Sequence, residues 1–471
     1  MSRSDEKGIA SASTNNADVL PGSSASLHPS SAWKRLRQRV ELPVSQSSYA
    51  PSSGWSNADL DPVPFEQQTW RTYNFVTYWI SDAFAVSNWR IGSSLIAIGL
   101  SWKLSLAAVA IGNLVTAFVV TYNGLIGARL HIPFTVQARS AFGFYFSYVM
   151  VVFRVVISIF WIVKTTGGGN AVFQYGNQSR GSSLGWAFMN GVNAMIGNFA
   201  TLGTAPASSR LDYKLKFCLG VNMNDFARYS RNPQSPYIQI LVIPVVFTIM
   251  MLFGIIGANG SRLIYGEVLW DPLMIVDKWT SPGGRAVAFF CALAFLIASI
   301  GINISANSIS VAVDLSTLFP RYLNLRRAQN ILASAETLIN FMNGYSVWLA
   351  PISGILISDY YLVHGRRVNV PEMYRPHGIY SYERWGTNWR SAVAFVVGFA
   401  PLLPGFAKSV TSSVDVSDGA QRLYYLGYWY GFLSSSSLYV LLSKMWPPKS
   451  QWTGKAIDAS LREDETVRAS F

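Results

Sequence analysis

The chain has 471 residues, of which half are hydrophobic, 14% are aromatic and only 13% are charged. A soluble globular protein carries about 25% charged residues, so the composition excludes an ordinary cytosolic enzyme, and two cysteines exclude a disulfide-built secreted domain. The net charge of +13 favours basic loops between membrane spans over nucleic-acid binding. Most basic clusters lie at the ends of apolar runs: Arg129–Arg139, Arg228–Arg231, Arg321–Arg327 and Arg366–Arg367.

Apolar runs of about 20 residues, the length that crosses a bilayer, predict an all-α polytopic membrane protein. Polar ends flank these runs, so we interpret residues 1–65 and 447–471 as cytoplasmic tails and residues 66–446 as the transmembrane domain. The nine predicted spans are Tyr73–Ile96, Leu104–Ile126, Phe146–Gly167, Leu184–Leu202 with a candidate continuation at Val221–Tyr229, Ile238–Ala258, Val287–Leu315, Leu338–Val363, Val393–Ala407 and Tyr424–Met445.

Three of these runs contain polar groups near mid-membrane depth. Two interpretations compete: small and amide residues that pack one span on another, or discontinuous helices at the binding site of a secondary transporter. Three interrupted runs in one chain favour the transporter. The polar residues are Ser81, Asp82, Ser87 and Asn88 in the first run, Asn193, Gly197, Asn198 and Thr201 in the fourth, and Asn303, Ser305, Asn307 and Ser308 in the sixth.

The sequence motifs give no support for an enzymatic activity. The sequence has no paired-cysteine metal motif, HExxH or GxSxG, and the three glycines from Gly167 are not followed by the GK[ST] of a phosphate loop. The four histidines fall in predicted tails and loops. We therefore expect no enzymatic activity, no cofactor and no metal.

Several stretches, in a constant order, carry a family resemblance. They are ISDAFAVSNWRIGSSLIAIGLSW (Ile80–Trp102), GARLHIPFTVQARSAFG (Gly127–Gly143), GNFATL (Gly197–Leu202), NMNDFARYSRNP (Asn222–Pro233), NISANSISVAVDLSTLFPRYLNLRR (Asn303–Arg327) and NFMNGYSVWLAPISGILISDYYLV (Asn340–Val363). Together they resemble the fungal nucleobase–cation symport family, permeases for uracil, allantoin, uridine, cytosine–purine and thiamine-type substrates. The resemblance implies a five-helix inverted-repeat transporter fold.

The resemblance also implies a binding site for a flat heterocycle, which stacks between aromatic rings and forms hydrogen bonds with side-chain amides. By position, Trp161 matches the stacking wall, Asn307 the amide partner and Phe199 an aromatic of the broken sixth span. The alternative for Trp161 is a lipid-facing or interhelical side chain. Asp314 matches a carboxylate of the family, and its spacing of seven residues from Asn307 puts both on one helix face.

Two departures from the family concern the substrate and the ion. Where the family has a glutamine after the stacking tryptophan, this chain has Thr165, or Lys164 if the motif is one residue short. Sodium-coupled relatives have hydroxyls where this chain has Gly301 and Ile302. H⁺ is therefore the expected ion, with Asp82 and Asp314 as candidate carriers; the alternative role for each is a buried hydrogen bond.

The third departure is the number of spans. The family has twelve, and the fourth, fifth and ninth are missing here, at residues 174–185 and at 329–330, while residues 204–220 interrupt the sixth. A mis-spliced gene is one explanation and a decayed paralogue is the other. We expect a plasma-membrane proton symporter with a cytoplasmic N-terminus that imports a nucleobase-type substrate, or alternatively a truncated paralogue without transport. The sequence leaves the oligomeric state open.

Overall fold

The computed structural model describes Tyr49 and residues 55–156, 219–302, 309–324, 346–382, 386–410 and 414–448. These residues form helices joined by short turns, and they contain no β-strand. The α-helices are Thr72–Ala83, Val86–Ala97, Trp102–Leu130, Phe134–Phe142, Phe146–Val156, Leu219–Ala227, Gln239–Tyr265, Pro272–Asp277, Pro282–Ile302, Ile309–Leu318, Ser346–Ser358, Trp389–Phe399, Leu403–Val410, Asp418–Tyr425 and Gly427–Met445. A π-helical turn, Asp359–Val363, extends the helix before it.

Three helical stretches in the described part of the chain are long and apolar enough to cross a membrane: Trp102–Leu130, Ser235–Tyr265 and Trp389–Lys408. Each contains or overlaps a predicted span. We refer to spans by the number that each has in the family. Trp102–Leu130 is the second span, Gln239–Tyr265 the seventh, Ser346–Val363 the tenth and Gly427–Met445 the last. The described parts of the third, sixth and eighth spans are Phe146–Val156, Leu219–Ala227, and Pro282–Ile302 with Ile309–Leu318.

The first span is discontinuous, as its polar residues predicted. It consists of Thr72–Ala83 and Val86–Ala97, and the backbone between them leaves the helical region, with φ −106° and ψ 145° at Ala85. A break of this kind frees backbone carbonyl groups that an intact helix would bond internally.

The second half of the first span packs tightly on the seventh span. A Cβ atom at Gly92 would overlap the carbonyl oxygen of Met251, and one at Gly254 would overlap that of Trp89. Because both backbones occupy the space of a side chain, only glycine fits at either position. Small residues permit this close approach between membrane helices.

The short helix Phe134–Phe142 lies between the second and third spans, and all nine of its residues are buried. Arg139, expected in a basic loop, has a fully buried side chain. Its guanidinium donates to the carbonyl of Met373 at 3.1 Å and lies 4.7 Å from the centre of the Phe144 ring. The Met373 contact spans 234 positions of the sequence, so sequence pattern alone does not reveal it.

The segment before the first span packs across the ends of several spans. Trp55 makes edge contacts with Phe144 and Tyr148, and the Tyr374 hydroxyl donates to the Leu60 carbonyl at 2.7 Å. Burial, and secondarily the charge of Asp61, raises the pKa of Tyr374, so this phenol keeps its proton and acts as a donor. The segment thus packs against the permease domain.

Candidate transport site

The predicted substrate-contacting residues are outside the part of the chain that the structure describes. These are Trp161, Lys164, Thr165, Phe199 and Asn307. The two predicted proton-coupling residues, Asp82 and Asp314, are described, and each has different partners.

Asp82 lies at the break of the first span. The side-chain amide of Asn88 donates to the carbonyl of Asp82 at 3.0 Å and to that of Ala83 at 2.8 Å. It thereby satisfies two carbonyl groups that the break removes from the helical pattern. Asp82 itself is partly exposed. Its carboxylate therefore lies at a helix end whose carbonyl groups are capped by the Asn88 amide.

Asp314 is part of a buried ion cluster that joins three spans. Arg154 of the third span donates from Nε to Asp314 Oδ2 at 2.7 Å, and its Nη2 contacts Asp314 Oδ1. On its other side, Nη1 lies 2.8 Å from Asp225 Oδ2 of the sixth span, an ion pair without the alignment of a hydrogen bond. The three side chains are at most 1% exposed.

Phe134 supports this cluster from the short buried helix. Its backbone N–H donates to Asp225 Oδ1 at 3.0 Å, and its ring centre lies 4.0 Å from the Arg154 guanidinium. The same helix therefore fixes one carboxylate and covers the cation with an aromatic face, a favourable arrangement for a desolvated guanidinium.

The cluster has more acid than base. The described residues place two carboxylates, Asp225 and Asp314, against one guanidinium. Burying an unbalanced charge is costly, and a buried carboxyl group commonly neutralises itself by taking up a proton. Chemically, the arrangement suits a site that binds and releases one proton.

Arg154 and Asp225 were not among the residues singled out from the sequence. The signal was present for Arg154, since an ionisable residue inside an apolar run indicates a functional site by default. Asp225 lies in the motif NMNDFARYSRNP, but its partner is 71 positions away, and nothing in the spacing predicts their contact.

A second buried polar network surrounds Asp359 at the end of the tenth span. Its carboxylate accepts hydrogen bonds from the Tyr439 hydroxyl at 2.6 Å and from Ser140 Oγ at 3.0 Å, and lies 3.0 Å from His364 Nδ1. Asn388 also donates to the Tyr439 hydroxyl at 3.2 Å. This network ties the last span and the short buried helix to the tenth span.

Comparison with known proteins identifies the family. A family model of permeases for cytosine/purines, uracil, thiamine and allantoin matches residues 62–174 and 216–431, which is more than half of the chain. The chain belongs to this family. Its relatives are transport proteins of membranes, so the protein is a multi-pass permease and not an enzyme.

Curated relatives cover most of the chain. A permease of Schizosaccharomyces pombe is 29% identical over 97% of this chain and 94% of its own length. The uracil permease of Saccharomyces cerevisiae is 28% identical over 89% of this chain and 81% of its own length, and the allantoin permease of that yeast is 27% identical over 83% and 76%.

The fold has solved counterparts. The structure of Mhp1, a nucleobase-cation-symport-1 family transporter, in a closed conformation with bromovinylhydantoin bound, matches with a TM-score of 0.61 at 20% identity. The match covers 83% of this chain and 97% of that chain. An inward-facing conformation of Mhp1 matches with a TM-score of 0.59 at 19% identity, covering 88% of this chain and 98% of that one. The fold is therefore that of this transporter.

Proposed function

We propose that the protein is a proton symporter that imports a nucleobase or a related flat heterocycle, such as uracil, allantoin or uridine, across the plasma membrane. The observation that carries the proposal is the buried cluster of Arg154 with Asp225 and Asp314, because it joins three spans and has one carboxylate in excess. The break of the first span at Asp82 supports it, since discontinuous helices contribute to binding sites in secondary transporters.

In this proposal, Trp161 stacks on one face of the substrate and the side-chain amide of Asn307 hydrogen-bonds its edge. Phe199 supplies a second aromatic ring. Thr165 or Lys164 occupies the position of the family's glutamine. A pyrimidine or a ureide is preferred over a purine, because one stacking face and one amide edge match a small ring with donors and acceptors at its rim.

For the ion, the proposal assigns proton binding to Asp314, with Asp82 as the second candidate. Asp314 gains support from its neighbours: Asp225 already supplies one carboxylate against the single charge of Arg154, so the carboxylate of Asp314 is the one in excess. A proton on Asp314 balances the cluster, and loss of that proton leaves a buried negative charge.

We also propose how the chain is oriented in the membrane. Residues 1–65 and 447–471 are cytoplasmic tails, and residues 66–446 are the permease domain. The basic ends of the second, sixth and eighth spans lie in the cytoplasm, following the positive-inside rule.

A second candidate, a truncated paralogue without transport, is favoured by the sequence comparisons. The family model leaves residues 175–215 unmatched, and the alignment with the S. pombe permease extends over 553 positions, more than the 471 residues of this chain. The unmatched stretch begins where the fourth and fifth spans are expected to be missing.

The test is uptake by a corrected chain, whose sequence follows the transcript across residues 174–185, 203–221 and 329–330. Radiolabelled uracil, allantoin and uridine are offered to cells that lack their own permeases. We expect saturable uptake of at least one of them by the corrected chain and none by the 471-residue chain. Absence of uptake by both, with protein present at the surface, would leave the non-transporting paralogue as the function.

A further inference from the structure

The cytoplasmic ends of the second and tenth spans meet in a group of four residues that the transport function does not use. We call this group the tyrosine–arginine patch: Tyr122 and Arg129 of the second span, with Tyr361 and Arg366 at the end of the tenth. The Tyr361 hydroxyl donates to the Tyr122 carbonyl at 3.1 Å, and their rings meet edge to face at 5.6 Å.

The backbone after the tenth span adopts an unusual conformation that brings Arg366 back over Tyr361. Gly365 and Arg366 both have positive φ, +54° and +66°, although a single left-handed glycine suffices to end a helix. A non-glycine residue rarely adopts this conformation. Here it is held by a hydrogen bond from Arg366 N to the Tyr360 carbonyl at 2.7 Å, and it places the guanidinium 5.3 Å from the centre of the Tyr361 ring.

The patch is positively charged. Arg366 lies over the Tyr361 ring, and Arg129 lies seven residues after Tyr122, nearly two turns along the same face of the second span. In the described part of the chain, neither arginine has an ion-pair partner. Two guanidinium groups without a carboxylate form a site for an anion.

Apolar side chains border this charge on the membrane side. Leu362 is 64% exposed and Tyr122 is 39% exposed, and both lie on helices of a membrane-spanning domain. Tyrosine is typical of the membrane–water interface, so the charged part of the patch is at headgroup level and the exposed apolar part faces the acyl chains.

We propose that the tyrosine–arginine patch binds the headgroup of an anionic phospholipid of the cytoplasmic leaflet. The phosphate lies between Arg129 and Arg366, and one acyl chain runs along Tyr122 and Leu362. Basic pockets between membrane helices on the cytoplasmic side bind such headgroups, and that leaflet carries the anionic lipids. The proposal goes beyond the transported substrate and does not depend on it.

Arg367 provides a matched control. It is the next residue in the chain, carries the same charge and is also exposed, but only Arg366 is placed over Tyr361. A diffuse attraction between basic loops and an anionic surface predicts equal effects of substitutions at Arg366 and Arg367. A specific binding site predicts an effect at Arg366 and not at Arg367.

The experiment measures equilibrium binding of radiolabelled phosphatidylinositol to the protein in detergent micelles. The 471-residue chain, solubilised from total cell membranes, and the corrected chain are both used. We expect Arg366→Gln and Arg129→Gln each to weaken binding about five-fold, equivalent to about 1 kcal/mol per basic residue, and Arg367→Gln to change it less than two-fold. Arg366→Gly removes the charge while suiting the left-handed backbone, so it separates loss of charge from misfolding.

Competition distinguishes the lipid from other ligands. Unlabelled phosphatidylinositol should displace the label, while phosphatidylcholine and soluble inositol phosphate at the same concentration should not. Equal losses in Arg366→Gln and Arg367→Gln, displacement by phosphatidylcholine, or no binding by the wild-type chains would overturn the proposal. Failure here leaves the uptake experiment unaffected, because neither arginine belongs to the proposed transport site.

Discussion

Replacing Arg154 by glutamine should be among the most damaging single changes in the permease domain. The substitution leaves Asp225 and Asp314 facing each other with side chains that are 0% exposed. Removing one partner of a buried ion pair costs about 3–5 kcal/mol. Glutamine retains hydrogen-bond donors but no charge, so the two carboxylates can be accommodated only if they take up protons.

Asp225→Asn is the matched comparison and should be milder. Asparagine keeps an oxygen that accepts the Phe134 N–H, and the change leaves one carboxylate for one guanidinium. Combining Arg154→Gln with Asp314→Asn should restore part of the stability that Arg154→Gln loses, because the coupling between groups in direct contact is typically about 0.5–3 kcal/mol. The assay is the thermal stability of fluorescently tagged, detergent-solubilised corrected chain, read by size-exclusion chromatography. If Arg154→Gln is as stable as Asp225→Asn, the cluster does not hold the three spans together.

Four further results are expected. Trp161→Ala should weaken substrate affinity about ten- to one-hundred-fold, since a base–aromatic stack contributes about 1–3 kcal/mol; normal uptake at unchanged surface expression would remove Trp161 from the site. Uptake should persist without Na⁺ and be abolished by a protonophore, because Gly301 and Ile302 offer no hydroxyl to a cation; strict Na⁺ dependence in ion-replacement assays would contradict this. Gly254→Val should reduce the yield of folded protein in detergent, because a side chain there overlaps Trp89, whereas Gly260→Val should not, since space around Gly260 is open. The 471-residue chain should be retained inside the cell and degraded, and microscopy that finds it stable at the plasma membrane would contradict the count of missing spans.

The sequence predicted the elements of this fold better than their contacts. The break in the first span was predictable, because Asp82 and Asn88 interrupt an apolar run where a lipid-facing helix has no water to satisfy them. The placement of Asn307 and Asp314 on one helix face stays a prediction, because Asn307 lies outside the described residues.

The ion cluster was not predictable in the same way. An apolar run reveals the depth of Arg154 in the membrane but not which of the other spans lies beside it, and Asp225 reaches it only through the packing of the sixth span. Arg139 was expected in a basic loop at the end of an apolar run, and nothing in that pattern indicates that its side chain is buried and donates to the Met373 carbonyl, 234 positions away. Contacts between segments that are distant in the sequence can be identified only from the three-dimensional fold.

The central claim is that proton binding at Asp314 drives substrate uptake. The most direct test is uptake of the radiolabelled substrate by the corrected chain with and without an imposed inward pH gradient, comparing the wild type with Asp314→Asn. We predict that the gradient drives accumulation in the wild type, whereas Asp314→Asn exchanges substrate across the membrane without accumulating it. Gradient-driven accumulation by Asp314→Asn equal to that of the wild type would contradict the claim.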